Sequence, residues 1–379
     1  MLAKFACDPI SSKGRLHPET SLLPGQSPFE IDRLRIIEST AFRRLEHKTQ
    51  VFISNMGDHY RNRLTHSLEV AQIARIISNS LNISADLAEN ISLAHDMGHS
   101  AFGHAGEDEL NDIMKEYSLE FDHNAHAIKI LTKLETKYPK FDGLNLSWET
   151  LEGVAKHNGP LHNLHPTNSI LLYNNLQSNL DLTRYSSLEA QVAAISDDIA
   201  YNNHDIDDGF RAGLITLDEL REISKLGKII DEVKSGNPGV TNDKIIYESI
   251  QKIRNYMIID LIENTRINIK KFSIETCEDI RNHHLPLACF SESMEIYHKE
   301  IKKFLYNRVY TSTNLVRVRE KGKKVIHKLF SRYMNNPNSL PEQWKASINS
   351  SNEKERAIII ADFIACMSDR YAIDAYKLI

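Results

Sequence analysis

The stretch HDMGHSAFGHAGE, from His95 to Glu107, joins an adjacent histidine and aspartate to a turn that contains three glycines. In the preceding residues SADLAENISLA, apolar side chains recur at helical spacing and Ser84 is a suitable N-cap. His95 and Asp96 are therefore predicted to lie in the last turn of a helix, where glycines let the chain bend sharply and approach a ligand. DELNDIMKEY is predicted to begin the next helix, so this stretch builds a site between two helices.

An adjacent His-Asp pair supplies at most two ligands, whereas a catalytic metal site needs at least three and an open position for water. Two other segments can supply the rest. His66 lies near the start of the amphipathic helix predicted for RNRLTHSLEVAQIARIISNSL. In SLEAQVAAISDDIAYNNHDIDD, Asp197, Tyr201 and Asp205 follow at helical spacing on one face. Polar groups on a mostly buried helix are costly unless they are paired, which favours a metal at Asp197 and a ligand hydroxyl at the other two.

These positions match the H…HD…D pattern of the HD-domain metallophosphohydrolases, and a longer series of segments resembles the bacterial deoxyguanosine triphosphate triphosphohydrolase-like family. The likeness runs in order from Ser27 to the end of the sequence. The segments that carry it are SPFEIDRLRIIESTAFRRLEHKTQVF, RNRLTHSLEVAQIAR, AHDMGHSAFGHAGE, KHNGP, DDIAYNNHDIDD and RAIIIADFIACMSDRYAIDAY. The resemblance implies one divalent cation per subunit (Mn, Mg, Fe, Ni or Zn), with four ligands: His66, His95, Asp96 and Asp197.

Two further residues, His104 and Glu107, are three positions apart after the glycine turn. A carboxylate can orient an imidazole, which then serves as a general acid or base. The resemblance implies that both are catalytic, and that His99 and His123 contact phosphate or the leaving group. His126 stands where the family usually has a glutamine, and we expect it to be simply packed or exposed.

Arg63 stands three residues before His66 on the same predicted helical face, where a planar guanidinium can grip phosphate oxygens. The other candidates for substrate contacts are Gln50, Arg43, Tyr201, Asp205 and Tyr310. The resemblance implies that Gln50 contacts the nucleobase, that Arg43 belongs to the family's opening motif, and that Tyr310 packs near the sugar. A tightly packed sugar edge built from the two tyrosines and the aspartate would exclude a 2′-hydroxyl.

The resemblance implies hydrolysis of a deoxynucleoside triphosphate (dGTP or several dNTPs) to deoxynucleoside and tripolyphosphate. From the residues alone, the spacing indicates a metal phosphohydrolase, in which a cation polarises the phosphoryl group and acidifies water. Two alternatives remain open. Another HD phosphohydrolase, such as a 5′-nucleotidase or a phosphodiesterase, would not need the His104 and Glu107 pair. A non-catalytic nucleotide-sensing module should have lost a ligand or that pair. The sequence contains neither GxxxxGK[ST] nor GxGxxG, so P-loop and Rossmann proteins are excluded.

The composition, with 41% hydrophobic and 26% charged residues, is ordinary for a globular protein of 379 residues. No apolar run approaches the roughly 20 residues of a membrane span, the first residues lack the apolar stretch of a secretory signal, and the four cysteines are scattered. We therefore expect a reduced, cytoplasmic protein with no membrane partner. The formal net charge of −5 argues against extensive nucleic-acid binding, so single-stranded DNA has no support as a partner. The resemblance implies a homo-oligomer and, in some members, a nucleotide activator.

The helical patterns predict an all-α protein in one compact unit. An arm over residues 1–28 precedes an HD core at residues 29–210, and the helices of residues 211–379 pack on that core. Ile31, Leu34, Ile37 and Phe42 indicate the first helix of the core. The segment VFISNMGDHYRNR (51–63) is predicted as a strand or loop, and a small hairpin there is the only β structure expected.

Overall fold

The computed structural model describes residues 2–19, 25–52, 59–348 and 352–378. Within these ranges the fold consists of helices and loops, and β structure is limited to isolated bridges between Arg15 and Ser147 and between Thr49 and Asn62. The prediction of an all-α protein is confirmed. The predicted hairpin falls mainly on residues 53–58, outside the described part of the chain. None of the described helices combines the length and the apolar character needed to cross a membrane.

The α-helices up to the middle of the chain are α1 (Pro28–Glu38), α2 (Thr40–Arg44), α3 (Arg63–Leu81), α4 (Ala85–Ala94), α5 (Gly103–Glu116), α6 (His123–Lys129), α7 (Trp148–Ala155), α8 (Ser169–Leu176) and α9 (Leu188–Arg211). They are followed by α10 (Leu217–Arg221), α11 (Ser224–Gly236), α12 (Asn242–Lys271), α13 (Cys277–Asn282), α14 (Glu292–Leu305), α15 (Thr313–Asn335), α16 (Glu342–Ile348), α17 (Glu353–Ala365) and α18 (Asp369–Lys377). A 3₁₀ turn at His95–Gly98 continues α4, and π-helical turns at Ile130–Leu134 and Tyr306–Tyr310 extend α6 and α14.

Helices α3, α4 and α9 pack against one another and form the centre of the fold. Helix α3 begins at a capping box between Asn62 and Thr65 and ends at Asn82, which has a left-handed backbone. Helix α4 begins with Ser84, whose hydroxyl accepts the amide hydrogen of Leu87, as the N-cap prediction requires. The starts of α3 and α4 determine where the polar side chains of these two helices lie near the centre of the fold.

Buried apolar side chains of the described residues form three clusters. The first joins α3, α9, α11, α12 and α14 through residues such as Val70, Val192, Ile230, Leu261 and Ile301. The second joins α1, α4, α6 and α7 through residues such as Ile36, Ile91, Ile128 and Leu151. The third joins α5, α15 and α17 through residues such as Leu110, Ile326 and Ile360. The C-terminal helices therefore pack directly on α5, the helix that follows the glycine turn.

Two expectations about helices need correction. The first helix of the core is interrupted at Ser39, which ends α1 and caps α2, and the side chains of Leu34 and Ile37 are exposed. The buried face of α1 includes the carboxylate of Asp32, which pairs with Arg15, so an apolar stripe alone gave the wrong face. Helix α5 begins at Gly103, before DELNDIMKEY, so both His104 and Glu107 lie on this helix, near its start.

Candidate metal centre and active site

Three helical segments bring four polar side chains together within the packed centre of the fold. His66 comes from the first turn of α3, His95 and Asp96 from the 3₁₀ turn after α4, and Asp197 from α9. The Nε2 atom of His66 lies 2.9 Å from Asp197 Oδ1 and 3.8 Å from Asp96 Oδ2. The Nε2 atom of His95 lies 3.4 Å from Asp96 Oδ1 and 3.8 Å from Asp197 Oδ1. The structure thus brings together all four predicted metal ligands.

The hydrogen bond of His95 directs its Nε2 lone pair toward this point. His95 Nδ1 lies 2.6 Å from the carbonyl oxygen of Ser92, so Nδ1 carries the hydrogen. His95 Nε2 is buried and has no hydrogen-bond partner among the described residues. A buried lone pair without a partner, beside a second imidazole and two carboxylates, is the environment that a divalent cation satisfies. These residues fit a metal ion.

We call His66, His95, Asp96 and Asp197 the ligand set. Arg63 supplies a positive charge beside it. Its Nη1 donates to Asp96 Oδ2 at 2.8 Å, and both side chains are buried. Burial alone would raise the pKa of Asp96, but the charges of Arg63 and of the neighbouring histidines hold that pKa well below its usual value. Burial lowers the pKa of His95, which favours the neutral imidazole that binds metal. The guanidinium predicted to grip phosphate therefore already holds a ligand carboxylate.

A second polar group surrounds Glu107, and we call it the Glu107 cluster (His99, His104, Glu107 and His123). The Oε2 atom of Glu107 lies 3.2 Å from Nδ1 of His104, and its Oε1 lies 2.6 Å from Nδ1 of His123. The rings of His99 and His123 stack with their centroids 3.9 Å apart. His104 is largely exposed, whereas His99 is buried. The carboxylate predicted to orient the imidazole of His104 does contact it.

The hydrogen bonds of the Glu107 cluster determine its ionisation. Burial would raise the pKa of Glu107, but the hydrogen bonds from His104 and His123 hold it far below its usual value. Burial opposes protonation of His123, yet its hydrogen bond to Glu107 and the charge of that carboxylate raise the pKa of this histidine. An ionised Glu107 therefore faces the imidazole of His123 and stabilises its protonated form.

The ring of His99 joins the two groups. Its Nε2 atom lies 3.2 Å from Asp96 Oδ1, and its Nδ1 atom lies 3.7 Å from Glu107 Oε2. The ligand set and the Glu107 cluster are thus separated by one imidazole, so a phosphate group held at the first would lie beside the second. This arrangement of a metal site next to an oriented imidazole suits hydrolysis of a phosphate ester.

Comparison with known proteins agrees with this chemistry. The family model described as HD domain matches residues 63–202, and that described as phosphohydrolase-associated domain matches residues 288–378. Three curated relatives are each named deoxyguanosinetriphosphate triphosphohydrolase-like protein. The relative from Rickettsia prowazekii (strain Madrid E) is 46% identical over 377 residues, which cover 100% of this chain and 97% of the relative. That from Rickettsia bellii (strain RML369-C) is 47% identical over 379 residues, with the same coverage. That from Brucella anthropi is 46% identical over 381 residues, which cover 99% of this chain and 94% of the relative.

The chain belongs to the deoxyguanosinetriphosphate triphosphohydrolase-like family. The family is one of HD-domain hydrolases, and HD domains bind divalent metals. The HD match spans the ligand set and the Glu107 cluster, while the match to the phosphohydrolase-associated domain covers Tyr310 and the last helices.

Within this triphosphohydrolase-like chain, sequence reasoning passed over His204. Its Nε2 lies 2.8 Å from Nδ1 of His66, and its Nδ1 lies 2.8 Å from Asp205 Oδ1. Partners behind a ligating histidine fix its tautomer and orientation, and His204 takes that position for His66. A signal was available, because His204 follows Asp197 by two helical turns on α9 and so lies on the same side of that helix.

His157 lies against the ligand set of the triphosphohydrolase-like site. Its ring stacks on that of His95 with centroids 4.9 Å apart, and its Nε2 lies 3.4 Å from Asp197 Oδ2. Asp198, by contrast, points away from the site and pairs with Lys302 at 2.6 Å.

The residues expected at the sugar also come together. Tyr310 donates its hydroxyl hydrogen to Asp205, and the rings of Tyr310 and Tyr201 lie with centroids 5.9 Å apart. Asp205 in turn contacts His204, so this group is connected with the ligand set through His66.

Two predicted substrate contacts have a less direct relation to the site of this family member. Gln50 is half-buried, and its Oε1 is a buried acceptor with no partner in the described ranges, so it is available to a ligand. Arg43 is exposed and donates to the carbonyl oxygen of Glu38, without a described contact to the ligand set. Both assignments stay predictions.

Proposed function

We propose that this protein is a metal-dependent triphosphohydrolase that converts a dNTP and water into deoxynucleoside and tripolyphosphate, with dGTP or several dNTPs as substrates. The observation that carries the proposal is the contact of His99 with Asp96, which joins the ligand set to the Glu107 cluster. The names of the relatives support the substrate class.

The ligand set positions the triphosphate in this proposal. A divalent cation held by His66, His95, Asp96 and Asp197 would polarise a phosphoryl oxygen and acidify water. Arg63 holds Asp96 in place through its buried hydrogen bond and adds positive charge beside the phosphates. His99 and His123, stacked next to it, contact the phosphate as it binds.

The Glu107 cluster supplies the proton that the leaving group needs. Water loses one proton to solvent, its oxygen adds to the α-phosphorus, and the bond from that phosphorus to the 5′-oxygen breaks. Glu107 orients His104, and His104 delivers a proton to the departing 5′-oxygen. Since His104 is largely exposed, solvent can return its proton after each turnover.

The sugar is held by Tyr201, Asp205 and Tyr310, and a 2′-hydroxyl would clash with this packed group or remain unpaired there. Gln50 contacts the nucleobase, and Arg43 belongs to the same opening motif of the family. We also propose that the protein is a cytoplasmic homo-oligomer that uses a nucleotide activator, which the family resemblance supports.

Product analysis tests the proposal. The protein is treated with a chelator, reloaded with Mn²⁺ or Mg²⁺, and incubated with each dNTP, and the phosphate products are separated by ion chromatography. We expect tripolyphosphate and free deoxynucleoside in equal amounts, and no product before the metal is restored. Asp197→Asn should lower activity by at least a hundredfold because a metal ligand is lost, whereas Asp198→Asn changes the neighbouring carboxylate and should retain activity.

The other candidate functions give different results in the same experiment. Inorganic phosphate or pyrophosphate as the product would identify another HD phosphohydrolase, such as a 5′-nucleotidase or phosphodiesterase. If neither single dNTPs nor mixtures of dNTPs give any product, the nucleotide-sensing module is the better description, because the mixtures supply an activator.

A further inference from the structure

The Glu107 cluster has the composition of a cation site in its own right. His99, Glu107 and His123 each offer one ligand atom, and these three atoms lie within 4.8 Å of one another. The Nδ1 atom of His104 is a fourth candidate at 3.2 Å from Glu107 Oε2. Three imidazoles and one carboxylate form a donor set that suits Zn²⁺ and similar transition metals.

The hydrogen bonding of His99 is incomplete without such a cation. Its ring is 3% exposed, and its Nδ1 is buried with no hydrogen-bond partner within the described residues. A neutral imidazole has one N–H hydrogen, and here its two nitrogen atoms face two carboxylates. Asp96 is the nearer, at 3.2 Å from Nε2, so Nδ1 presents a lone pair to Glu107 Oε2 at 3.7 Å. A lone pair and a carboxylate repel each other in a buried site unless a cation lies between them.

The geometry of His123, Glu107 and His104 permits them to bind a cation together with His99. The rings of His99 and His123 are stacked nearly parallel, at an interplanar angle of 14°, and the Nδ1 atom of each faces Glu107. His104 is largely exposed and can rotate its ring to complete a tetrahedral set. A cavity of about 680 Å³, lined by residues that include His104, Glu107 and His123, gives the cluster an entry from solvent.

We propose that His99, Glu107 and His123, with His104, bind a second divalent cation of the Zn²⁺ type, and that this cation inhibits the enzyme. The inhibition follows because the cation occupies the carboxylate and the imidazole that the reaction needs for its proton. Binding stands on the cluster alone, whereas inhibition rests on the proposed triphosphohydrolase function.

Co²⁺ tests the binding, since tetrahedral Co²⁺ gives an intense visible absorption band. In Asp197→Asn the ligand set is disabled, and we expect equilibrium dialysis to show one bound Co²⁺ per chain together with that band. Adding His123→Ala should abolish the bound Co²⁺ and the absorption band, because an imidazole ligand is lost. Adding Glu107→Gln instead should abolish them because the carboxylate ligand is lost. His126→Gln, three residues along α6, is the matched control and should keep the cation. A band that persists in both the His123 and the Glu107 variants would overturn the proposal, as would the absence of any bound Co²⁺ in Asp197→Asn.

Activity tests the inhibition separately. The Mn²⁺-loaded protein is titrated with Zn²⁺, and the Mn²⁺ that stays bound is measured at each point. We expect activity to fall at least tenfold as one Zn²⁺ binds while Mn²⁺ is retained. Full activity with Zn²⁺ bound would overturn the inhibitory role. If the protein hydrolyses no dNTP, the Co²⁺ result still decides the binding, so the two failures are distinguishable.

Discussion

The imidazole of His126 is buried between the 3₁₀ turn at His95–Gly98 and the C-terminal helices. Its Nδ1 donates to the carbonyl oxygen of Gly98 at 2.9 Å, and its Nε2 lies 3.8 Å from Asp362 Oδ1. Burial, together with the positive charges of Lys48, Lys129 and Arg44, lowers the pKa of His126 to about 3. The neutral ring therefore acts as a hydrogen-bond donor that fixes the turn carrying two metal ligands.

This burial makes the folded state sensitive to acid. Below the ordinary value of 6.5, the unfolded chain takes up a proton at His126 that the folded protein refuses, so stability falls as the pH falls from 6.5 toward 3. His126→Gln keeps an N–H donor without the titration. Between pH 7 and pH 5.5 we expect the wild type to lose about 1 kcal/mol more unfolding free energy than the variant, measured by urea unfolding. Equal losses in the two proteins would contradict this assignment.

At this scale the sequence was informative where spacing carries chemistry. The contact of Glu107 with His104 and the pairing of His95 with Asp96 could be predicted, because each pair occupies fixed positions on one helix or one turn. His66 and Asp197 lie on two other helices, and the family resemblance predicted that they complete the ligand set. The spacing of His204 from Asp197 placed it on the same side of α9, but its contact with His66 depends on the distance from α9 to α3, which spacing along one helix does not give. The distance from His99 to both carboxylates is likewise a property of the folded chain.

Among the elements, the packing of α6 on the 3₁₀ turn is unusually close. A Cβ atom at Gly98 would lie 1.9 Å from the carbonyl oxygen of His123 and 2.4 Å from the amide nitrogen of Ala127. Only glycine permits this approach, and it is what brings His123 within reach of Glu107. The glycine serves the contact of two elements as well as the bend of the chain.

Gly98→Ala should therefore force α6 away from the turn. We expect a loss of at least about 1–3 kcal/mol in unfolding free energy, since the contacted atoms belong to the backbone and cannot rotate aside. Gly236→Ala is the control, because a Cβ there meets nothing within 4 Å, and unfolding free energy should stay unchanged or rise by up to about 1 kcal/mol. Similar stabilities of both variants in urea would show that α6 can shift freely.

Element prediction succeeded where caps and apolar periodicity agreed, as at the start of α4. It failed at α1 because the buried face of that helix contains Asp32, whose partners lie far away in the sequence. Periodicity assigns a charged residue to the surface, and the positions of Arg15, Ser147 and Thr150 explain why this carboxylate lies inside.

Across the whole molecule, Asp369 in α18 connects the C-terminal helices with residues 99–102. We call these residues the active-site loop, because they join the 3₁₀ turn at His95–Gly98 to α5. Its carboxylate accepts the amide hydrogens of Phe102, at 2.8 Å, and of Thr49, at 3.0 Å. Phe102 has a left-handed backbone with φ of 64°, which costs an ordinary residue about 1–2 kcal/mol. Lys48 adds a second link, since its ammonium donates to the carbonyl oxygens of His99 and Ala365. The C-terminal helices thus hold the turn that leads into α5.

Asp369→Asn should uncouple this loop. The amide has a single acceptor oxygen and presents N–H groups to the backbone donors, so we expect kcat to fall at least tenfold while bound metal stays unchanged. Asp374→Asn in the same helix alters an exposed carboxylate and should behave as wild type. Metal analysis and product assays on the same samples make the comparison. Loss of metal in Asp369→Asn would show instead that α18 supports the ligand set.

The docking of the C-terminal helices on α5 could be expected only in outline. A single compact unit was predicted, but the residues that join its parts are separated by 267 and 320 positions along the chain. No local pattern marks Asp369 as an anchor, because its burial exists only after α18 has packed.

The same separation bears on synthesis at the ribosome, which makes the chain from its N-terminus. The ligand set is complete once Asp197 has emerged, whereas Asp369, the anchor of the active-site loop, is made later. Since domains generally fold as they emerge, a growing chain can capture its metal well before its loop is held. A chain cut short before α18 would therefore keep the metal ligands but lack the anchor of the active-site loop.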